Sequence, residues 1–318
     1  MGTMNDTDII VGTGKYQYKW IDNWVKVPIS ESSKENGRTH GVAVTDEGYV
    51  IIFHQANPAV LIFNSDGNLL DSWGDDFNGA HGLCMVREDG EELLWLTDEF
   101  SGEVVKTDLQ GNFIMNLQRP ELSTYAKSKY SPTWVAVNEE RFGGNGDVWV
   151  ADGYGESFVH RYDKYGNYKD CINGSEGESG RFNCPHGIWI DRRKSEPELY
   201  SADRGNKKVQ VYNLEGKYKR VFGEGILTCP CAFVSYKDTL FIPELSAKLT
   251  ILNINDDVIE FIGENEKTCS LPGWPDHAPE LIIPGKFNSP HSAAIDRDGN
   301  IYIVEWIKGG RITKLERI

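Results

Sequence analysis

Four histidines recur at one position of a repeated motif, and their side chains could together bind a metal ion. The motif is clearest at Asn183–Asp191, where Asn-Cys-Pro-His-Gly is followed by Ile-Trp-Ile-Asp. Imidazole is a common ligand of zinc and related divalent ions, and three histidines with an open position leave room for water or substrate. Aligned on the residue after the proline, six copies of the motif place these residues at one equivalent position, here called the axis position: His40, His81, Thr133, His186, Cys231 and His291.

A repeat consensus without a metal is the alternative explanation, since each histidine could simply bond to neighbouring backbone. That explanation suffices for any single histidine, whereas four at the same repeat position favour a shared metal site. The remaining histidines, His54, His160 and His277, break the pattern and are interpreted as structural or surface residues.

Polar residues also recur where the predicted second strand of each repeat ends: His54, Asp98, Asp152, Asp203, Glu244 and Glu305. Aspartate commonly bonds to nearby backbone amides in turns, and we expect that role for the three aspartates. Glutamate is a poorer turn residue, so Glu244 and Glu305 are candidate substrate-binding residues.

Tyr154 and Arg204 come just beyond two of these acids and are the candidate catalytic residues. A tyrosine beside a metal loses its proton more readily and can act as a base. An arginine can hold a substrate carboxylate through two parallel hydrogen bonds. Each alone is more often a packing or surface residue. Trp134, next to the axis position Thr133, is a further candidate for substrate contact.

The elements that must position these side chains are short apolar strands separated by glycine turns, as in Val50–Phe53 before the Asp66-Gly67 turn. Such runs indicate antiparallel strands, and no stretch sustains a helical period. Successive axis residues are roughly 40 to 60 residues apart, which fits one four-stranded propeller blade plus loop insertions. The insertions fall chiefly at 118–130, 173–181 and 264–286.

The sequence therefore predicts an all-β fold: a single six-bladed β-propeller domain over residues 1–318. The sixth repeat ends after its third strand, at Ile318. We expect the segment Gln17–Trp20 to supply the missing strand, because closing the ring removes free sheet edges.

Composition excludes several classes of protein. The net charge is −15 with no compensating basic patch, so nucleic acid is not an expected partner. No run of 18 apolar residues predicts a membrane span. None of the six cysteines forms a CxxC pair, and reduced thiols are expected. The first residues lack the apolar region of a signal peptide. We expect a soluble monomer, either cytoplasmic or secreted or periplasmic after processing.

From Thr39 to Leu315 the chain resembles the peptidyl-alpha-hydroxyglycine alpha-amidating lyase family and its relatives with NHL-type repeats. The resemblance is carried by Ala80-His81-Gly82-Leu83, Ala151-Asp152-Gly153-Tyr154, Pro185-His186-Gly187, Ala202-Asp203-Arg204 and Pro290-His291. It implies an NHL-like propeller in which His81, His186 and His291 bind a catalytic zinc, Tyr154 is the catalytic tyrosine, and Arg204 is an active-site arginine.

Four positions depart from the family pattern. Gln55 stands where the family has a second arginine, and Ser292 where an aspartate binds a structural calcium. Gly155 replaces a disulfide-forming cysteine, and His40 is an additional axial histidine. The expected cofactor is therefore zinc or another first-row divalent metal, with His40 as a fourth ligand, whereas calcium is doubtful. Gln55 makes an altered substrate contact.

The function most consistent with these residues is that of a metal-dependent lyase acting on a small hydroxylated or carbonyl-containing substrate, with a peptide substrate also open. Two alternatives stand beside it. A lactonase-type hydrolase would use Glu244 or Glu305 with a divalent ion on oxygen ligands. A non-catalytic propeller scaffold would bind a protein or peptide, because a fold does not by itself imply a function.

Overall fold

Six antiparallel sheets surround a common axis in the computed structural model, which describes residues 8–318. The innermost strands of neighbouring sheets contact one another at five of the six junctions, including the one between the last blade and the first, and the two sheets at the remaining junction share one buried cluster. The chain is therefore a six-bladed β-propeller, as the repeat pattern predicted.

The first five blades each have four strands in chain order, and the first strand of each lies innermost. Blade 1 is formed by β3 (Thr39–Val44), β4 (Val50–His54), β5 (Val60–Phe63) and β6 (Leu69–Trp73). Blade 2 is formed by β7 (Ala80–Glu88), β8 (Glu91–Asp98), β9 (Glu103–Asp108) and β10 (Phe113–Asn116). Blade 3 is formed by β11 (Trp134–Val137), β12 (Val148–Ala151), β13 (Val159–Tyr162) and β14 (Tyr168–Ile172). Blade 4 is formed by β15 (Pro185–Asp191), β16 (Glu198–Asp203), β17 (Lys208–Tyr212) and β18 (Tyr218–Phe222). Blade 5 is formed by β19 (Val234–Tyr236), β20 (Thr239–Glu244), β21 (Lys248–Leu252) and β22 (Val258–Ile262).

The sixth blade joins the two ends of the chain. Its C-terminal strands are β23 (Pro290–Ile295), β24 (Ile301–Glu305) and β25 (Arg311–Arg317). β25 pairs antiparallel with β2 (Tyr18–Ile21), with Trp20 opposite Leu315. The predicted closure by the N-terminal segment is thus confirmed. A further strand, β1 (Ile10–Val11), pairs with β2 and makes this sheet five-stranded, which the sequence did not predict.

Within residues 8–318, helical structure is confined to short pieces outside the blades. One α-helix, α1 (Glu31–Glu35), lies between β2 and β3, and its N-cap Ser30 and Ser33 form a reciprocal capping box. This helix was not predicted, because five residues are too few to show a helical period. The 3₁₀ helices are Gly14–Tyr16, Ser123–Ala126, Glu140–Phe142, Arg204–Asn206, Glu266–Ser270 and Pro279–Leu281. Three of these lie in two of the predicted insertions, 118–130 and 264–286.

The hydrophobic core lies between neighbouring blades. Ile51 and Phe53 of β4, for example, pack with Leu94 and Leu96 of β8 in one buried cluster. Because each sheet is covered on both faces, the second strand of a blade is buried at nearly every position, and β4 is buried from Val50 to His54. The stacked sheets hold the innermost strands, and with them the axis positions, in fixed relative places.

No helix within residues 8–318 is long and apolar enough to cross a membrane. All six cysteines fall in this range, and none is part of a disulfide.

Candidate metal centre

Each of the four axial histidines is the second residue of an innermost strand, in β3, β7, β15 and β23. At all four the pairing with the next strand is irregular, with the register shifting between Thr39 and Gly41, Ala80 and Leu83, Pro185 and Ile188, and Pro290 and Ser292. An irregularity of this kind re-aims a side chain that would otherwise point into the neighbouring blade. The local sequence around each histidine therefore turns its ring toward the channel.

Three of the rings form a nearly equilateral triangle. Ring centroids are 4.8 Å apart for His81 and His186, 4.9 Å for His81 and His291, and 4.8 Å for His186 and His291. All three side chains are buried. These histidines, hereafter the triad, come from blades 2, 4 and 6, so alternate blades give the centre an approximate threefold arrangement.

Backbone carbonyls of the next blade orient all three triad rings. The Nδ1–H of His81 donates to the carbonyl of Thr133 at 2.8 Å, and that of His186 donates to the carbonyl of Cys231 at 2.8 Å. His291 does the same toward the carbonyl of His40, at 2.9 Å. Because a carbonyl can only accept, each Nδ1 carries the proton and each Nε2 carries a lone pair that can accept a hydrogen bond or bind a metal.

Glycine after the histidine makes two of these contacts possible. A Cβ atom at Gly82 would lie 2.4 Å from the carbonyl oxygen of Thr133, and one at Gly187 would lie 2.3 Å from that of Cys231. These are the same oxygens that accept from His81 and His186. The His-Gly pair in the motif is thus explained by the close approach of neighbouring backbone.

The donor set fits a first-row divalent ion. Burial lowers the pKa of His81 and His186 well below the usual value and lowers that of His291 to about 3, so the rings are neutral and able to ligate. The Nε2 of His291 is buried with no hydrogen-bond partner. An orphaned buried nitrogen is costly unless something fills its lone pair, and a metal ion would do so.

His40 lies beside the triad, with ring centroids 4.7 Å from His81 and 4.6 Å from His291. Its Nδ1 makes only a long contact, 3.3 Å, with the carbonyl of Arg38. Candidate ligand atoms of His40, His81 and His291 all lie within 4.8 Å of one another, as do those of His186, Cys231 and His291. The structure therefore brings all four predicted histidines together and adds the buried thiol of Cys231.

Tyr154 and Arg204 lie together on the loop face of the centre, the end of the channel where the second strands finish. The Tyr154 hydroxyl is 3.2 Å from the Nε2 atoms of both His81 and His186. Arg204 donates from Nη1 to the same hydroxyl at 3.2 Å and lies over the tyrosine ring. The Tyr154 side chain is 37% exposed, so a group on the loop face can reach it from outside.

Opposing effects act on the phenol. The hydroxyl of Tyr154 is packed against the buried rings of His81 and His186, and this desolvation raises its pKa. The Arg204 guanidinium lowers the pKa, but desolvation outweighs the arginine. A cation held by the triad would add a second positive charge next to the hydroxyl and would favour the phenolate further. The arrangement can therefore support a base whose proton affinity depends on metal binding.

Trp134 begins the innermost strand β11, which leads away from the loop face, whereas Tyr154 follows the end of the antiparallel strand β12 on that face. The ring centroid of Trp134 is 6.5 Å from His81, 6.5 Å from His186 and 6.4 Å from His291, so the indole lies close to the threefold axis. It is buried in the innermost strand β11. If Trp134 contacts a substrate, as the sequence predicted, it does so on the side of the metal centre that is turned away from the loop face.

Glu244 and Glu305 do not face the channel. The Glu244 carboxylate is fully buried and accepts from the backbone amides of Thr228 at 2.6 Å and Cys229 at 3.0 Å. Glu305, also fully buried, pairs with Arg311 and accepts from the amide of Asn288 at 3.3 Å. Their placement argues against the expected substrate contact and removes the oxygen ligands that a lactonase-type site would need from them.

The aspartates at the same repeat position show what the carboxylates of Glu244 and Glu305 do instead of binding substrate. Asp98, Asp152 and Asp203 accept from the amides of Gly79, Ser131 and Asn183, respectively, each in the loop just before the innermost strand of the same blade. Fixing that loop is the role expected for the aspartates, and the two glutamates perform it in blades 5 and 6. The stray histidines His54, His160 and His277 are all buried, so the structural and not the surface interpretation applies.

Gln55 is buried and bonds to Asn36 through its oxygen and to Glu99 through its nitrogen, at 2.9 and 3.0 Å. Glu99 was missed by sequence reasoning. Burial raises its pKa and the hydrogen bond from Gln55 lowers it, while Arg204 is near enough to lower it further. The sequence could have indicated Glu99, because it directly follows the strand-ending Asp98, just as Arg204 directly follows Asp203.

Known proteins with related sequences support the resemblance, although no protein-family model matches the chain. The probable peptidyl-alpha-hydroxyglycine alpha-amidating lyase of Caenorhabditis elegans is 27% identical over 57% of the chain, and human NHL repeat-containing protein 3 is 28% identical over 63%. The chain resembles these amidating-lyase and NHL-repeat proteins. The aligned part spans 57% and 58% of the relatives' own lengths.

Solved structures agree on the fold. The chain matches a streptogramin B lyase with a TM-score of 0.61 at 13% identity, over 95% of this chain and 98% of that one. Virginiamycin B lyase of Staphylococcus aureus, in a catalytically inactive form with quinupristin, gives a TM-score of 0.59 at 14% identity, over 95% and 100%. At such identities the likeness shows a shared propeller fold alone.

Proposed function

We propose that the protein is a metal-dependent lyase acting on a small hydroxylated or carbonyl-containing substrate. One observation carries this proposal: three neutral histidines from alternate blades face one point, and the Tyr154 hydroxyl lies 3.2 Å from two of their Nε2 atoms. A scaffold needs no tyrosine at that place, whereas a lyase needs a base there.

His81, His186 and His291 would hold the ion, with His40 and the Cys231 thiol close enough to add a ligand. Zinc or another first-row divalent metal suits this set, because nitrogen and sulfur ligands favour such ions over calcium. When bound, the ion supplies Lewis-acid polarisation of a substrate oxygen.

Tyr154 would perform the proton transfer. As the phenolate it takes the proton from the hydroxyl of a carbinolamide, an N-acyl hemiaminal, and the freed electron pair forms a carbon–oxygen double bond. The adjacent carbon–nitrogen bond breaks, and the nitrogen regains a proton from the Tyr154 hydroxyl. The products are an amide and a carbonyl compound, and the tyrosine returns to its starting state.

Arg204 would hold the phenolate and any nearby anionic group. Its Nη1 already donates to the Tyr154 hydroxyl. Burial lowers the pKa of the guanidinium, but Tyr154 and nearby thiols more than compensate and raise it, so the side chain stays charged. A fixed positive charge beside the base stabilises charge that develops during the reaction.

The substrate is proposed to differ from peptidyl-alpha-hydroxyglycine, the compound after which the C. elegans relative is named. Gln55 brings no positive charge, and its amide nitrogen is already committed to the Glu99 carboxylate at 3.0 Å. A charge-assisted pair to a substrate carboxylate is therefore absent on this side, and Glu99 would repel that carboxylate. A less anion-selective pocket favours a neutral hydroxylated compound.

Two assays test the proposal. Tyr154→Phe should keep its metal and lose turnover of the hydroxylated substrate, by on the order of a hundredfold or more, as expected for a general base. Glyoxylate release from a hydroxyglycine peptide should be poor for the natural sequence and improve in Gln55→Arg. Unchanged turnover in Tyr154→Phe with full metal would overturn the mechanism, and efficient glyoxylate release by the unaltered protein would overturn the substrate assignment.

A further inference from the structure

A second cavity lies in the propeller channel beyond Trp134. Its volume is about 540 Å³, within the range of about 300–1,000 Å³ that small-molecule sites occupy. All six blades line it with residues of the innermost strands that follow the axis positions, among them Val44, Met85, Ala136 and Ala294. Neither Tyr154 nor Arg204 lines this cavity, which we call the lower cavity.

Trp134 divides the lower cavity from the metal centre. The indole lines the cavity, and its centroid is equally far, 6.4 to 6.5 Å, from the three triad rings. A ring on the axis at that distance closes the channel beneath the histidines. The lower cavity is therefore a separate compartment that opens away from the loop face.

The walls of the lower cavity are mainly apolar. Besides the aliphatic side chains, Phe233 and the Cys84 thiol contribute to them, and burial raises the pKa of Cys84 to about 12, so that the thiol is neutral. Such walls favour a hydrocarbon chain, because burying apolar surface is worth roughly 25 cal/mol per Å².

Charge is confined to one edge of the cavity, at Glu139, Arg141 and Arg192. Arg141 is already paired with Glu139, through Nε at 2.7 Å and Nη2 at 3.2 Å. Both guanidiniums lie over the exposed ring of Phe142, at 4.4 Å for Arg141 and 4.9 Å for Arg192. The edge thus carries two positive charges and one negative charge.

Arg192 is the unmatched member of this group. Within residues 8–318 it makes no ion pair, and its contacts are with neutral oxygens, Asn138 Oδ1 at 3.2 Å and the Ile190 carbonyl at 3.5 Å. The side chain is half-buried, and this burial lowers its pKa. A half-buried guanidinium without a carboxylate has capacity to bind one.

We propose that the lower cavity binds an aliphatic carboxylate of medium chain length, with the carboxylate on Arg192 and the chain directed toward Trp134. A monoanion suits the edge better than a doubly charged phosphate, since Glu139 lies beside the single unmatched arginine. This site is independent of the proposed lyase activity, because it shares no proton-transfer residue with the metal centre.

Calorimetric titration with octanoate, octan-1-ol, octylammonium and butyrate tests the proposal on the full chain. Octanoate should bind most tightly, octanol more weakly, butyrate hardly, and octylammonium not at all. Arg192→Gln should weaken octanoate on the order of tenfold and leave octanol unchanged, as expected for loss of one charge-assisted bond. Arg119→Gln, at an exposed arginine away from the cavity, is the matched control and should bind octanoate normally.

A second variant tests the apolar part. Ser235→Phe adds a ring to the cavity wall and should weaken octanoate and octanol alike, while an unchanged melting temperature would show that the protein remains folded. Equal affinity for octanoate and octanol, an equal loss in Arg119→Gln, or no octanoate binding up to its solubility limit would each overturn the proposal.

Discussion

His291 donates its Nδ1–H to the backbone carbonyl of His40, 2.9 Å away, although 251 positions separate the two residues in the chain. This bond crosses the junction between the last blade and the first. The orientation of the third triad ring thus depends on ring closure, which β2 and β25 provide through the pairing of Trp20 with Leu315. Fold and candidate metal centre are linked at this junction.

Gly187→Ala should disturb the metal centre from outside the ligand set. The added methyl group would meet the Cys231 carbonyl oxygen at 2.3 Å, so the acceptor that orients His186 must move. We expect a loss of about 1–3 kcal/mol in unfolding free energy and weaker zinc binding, measured by urea titration and by competition with a chromophoric chelator.

Gly180→Ala is the matched control for that variant. Gly180 has φ of +78° and open space around its missing Cβ, so the substitution should cost about 1–2 kcal/mol through backbone strain alone. Zinc affinity should stay normal there. Equal zinc binding in both variants would show that the close approach at Gly187 does not orient the ligand.

Much of this arrangement could be predicted from the sequence, because the axis position recurs in every repeat with a proline before it or a glycine after it. The six blades, the closing strand and the convergence of His40, His81, His186 and His291 follow from that periodicity. Local sequence also identified Tyr154 and Arg204, which lie just after a strand-ending acid.

The remaining features of the site depend on packing between blades, which no local sequence pattern predicts. The acceptor of each Nδ1–H belongs to the next blade, so the ring orientations were not predictable. Glu244 and Glu305 were assigned to substrate on side-chain length, yet their oxygens are used up by loop amides and Arg311. The side of the triad on which Trp134 lies became visible only in the assembled channel.

Glu244→Ala should destabilise the protein and leave the metal in place. The substitution removes the acceptor of the Thr228 and Cys229 amides and leaves both donors without a partner in the buried loop. We expect the unfolding free energy to fall by about 2–4 kcal/mol, measured by urea titration with metal content assayed in parallel. Glu215→Ala, at an exposed position, is the control and should change neither the unfolding free energy nor the metal content. Metal loss in Glu244→Ala without loss of stability would mean that Glu244 does belong to the metal centre.

Stability of the metal-free protein should decrease as the pH falls, in part because of His54. The pKa of His54 is lowered from 6.5 to about 4, because burial lowers it by more than the bond to the Pro58 carbonyl raises it. Between these values the unfolded chain binds a proton that the native protein does not, so unfolding becomes easier as the pH falls. The contribution lost is roughly 3 kcal/mol.

His54→Gln tests this contribution, since glutamine does not titrate. The unfolding free energy of the variant should fall less steeply than that of the natural sequence between pH 6.5 and about 4. Urea titrations at a series of pH values give both slopes. Identical slopes would mean that His54 does not stay neutral in the native protein.

Elemental analysis of protein purified without chelators tests the central claim most directly, when His186→Ala and His160→Gln are prepared beside the natural sequence. His160 is a buried histidine outside the triad and serves as the control. The account predicts about one equivalent of zinc or another first-row metal in the natural protein and in His160→Gln, and none in folded His186→Ala. A metal-free natural protein, or a fully occupied His186→Ala, would contradict it.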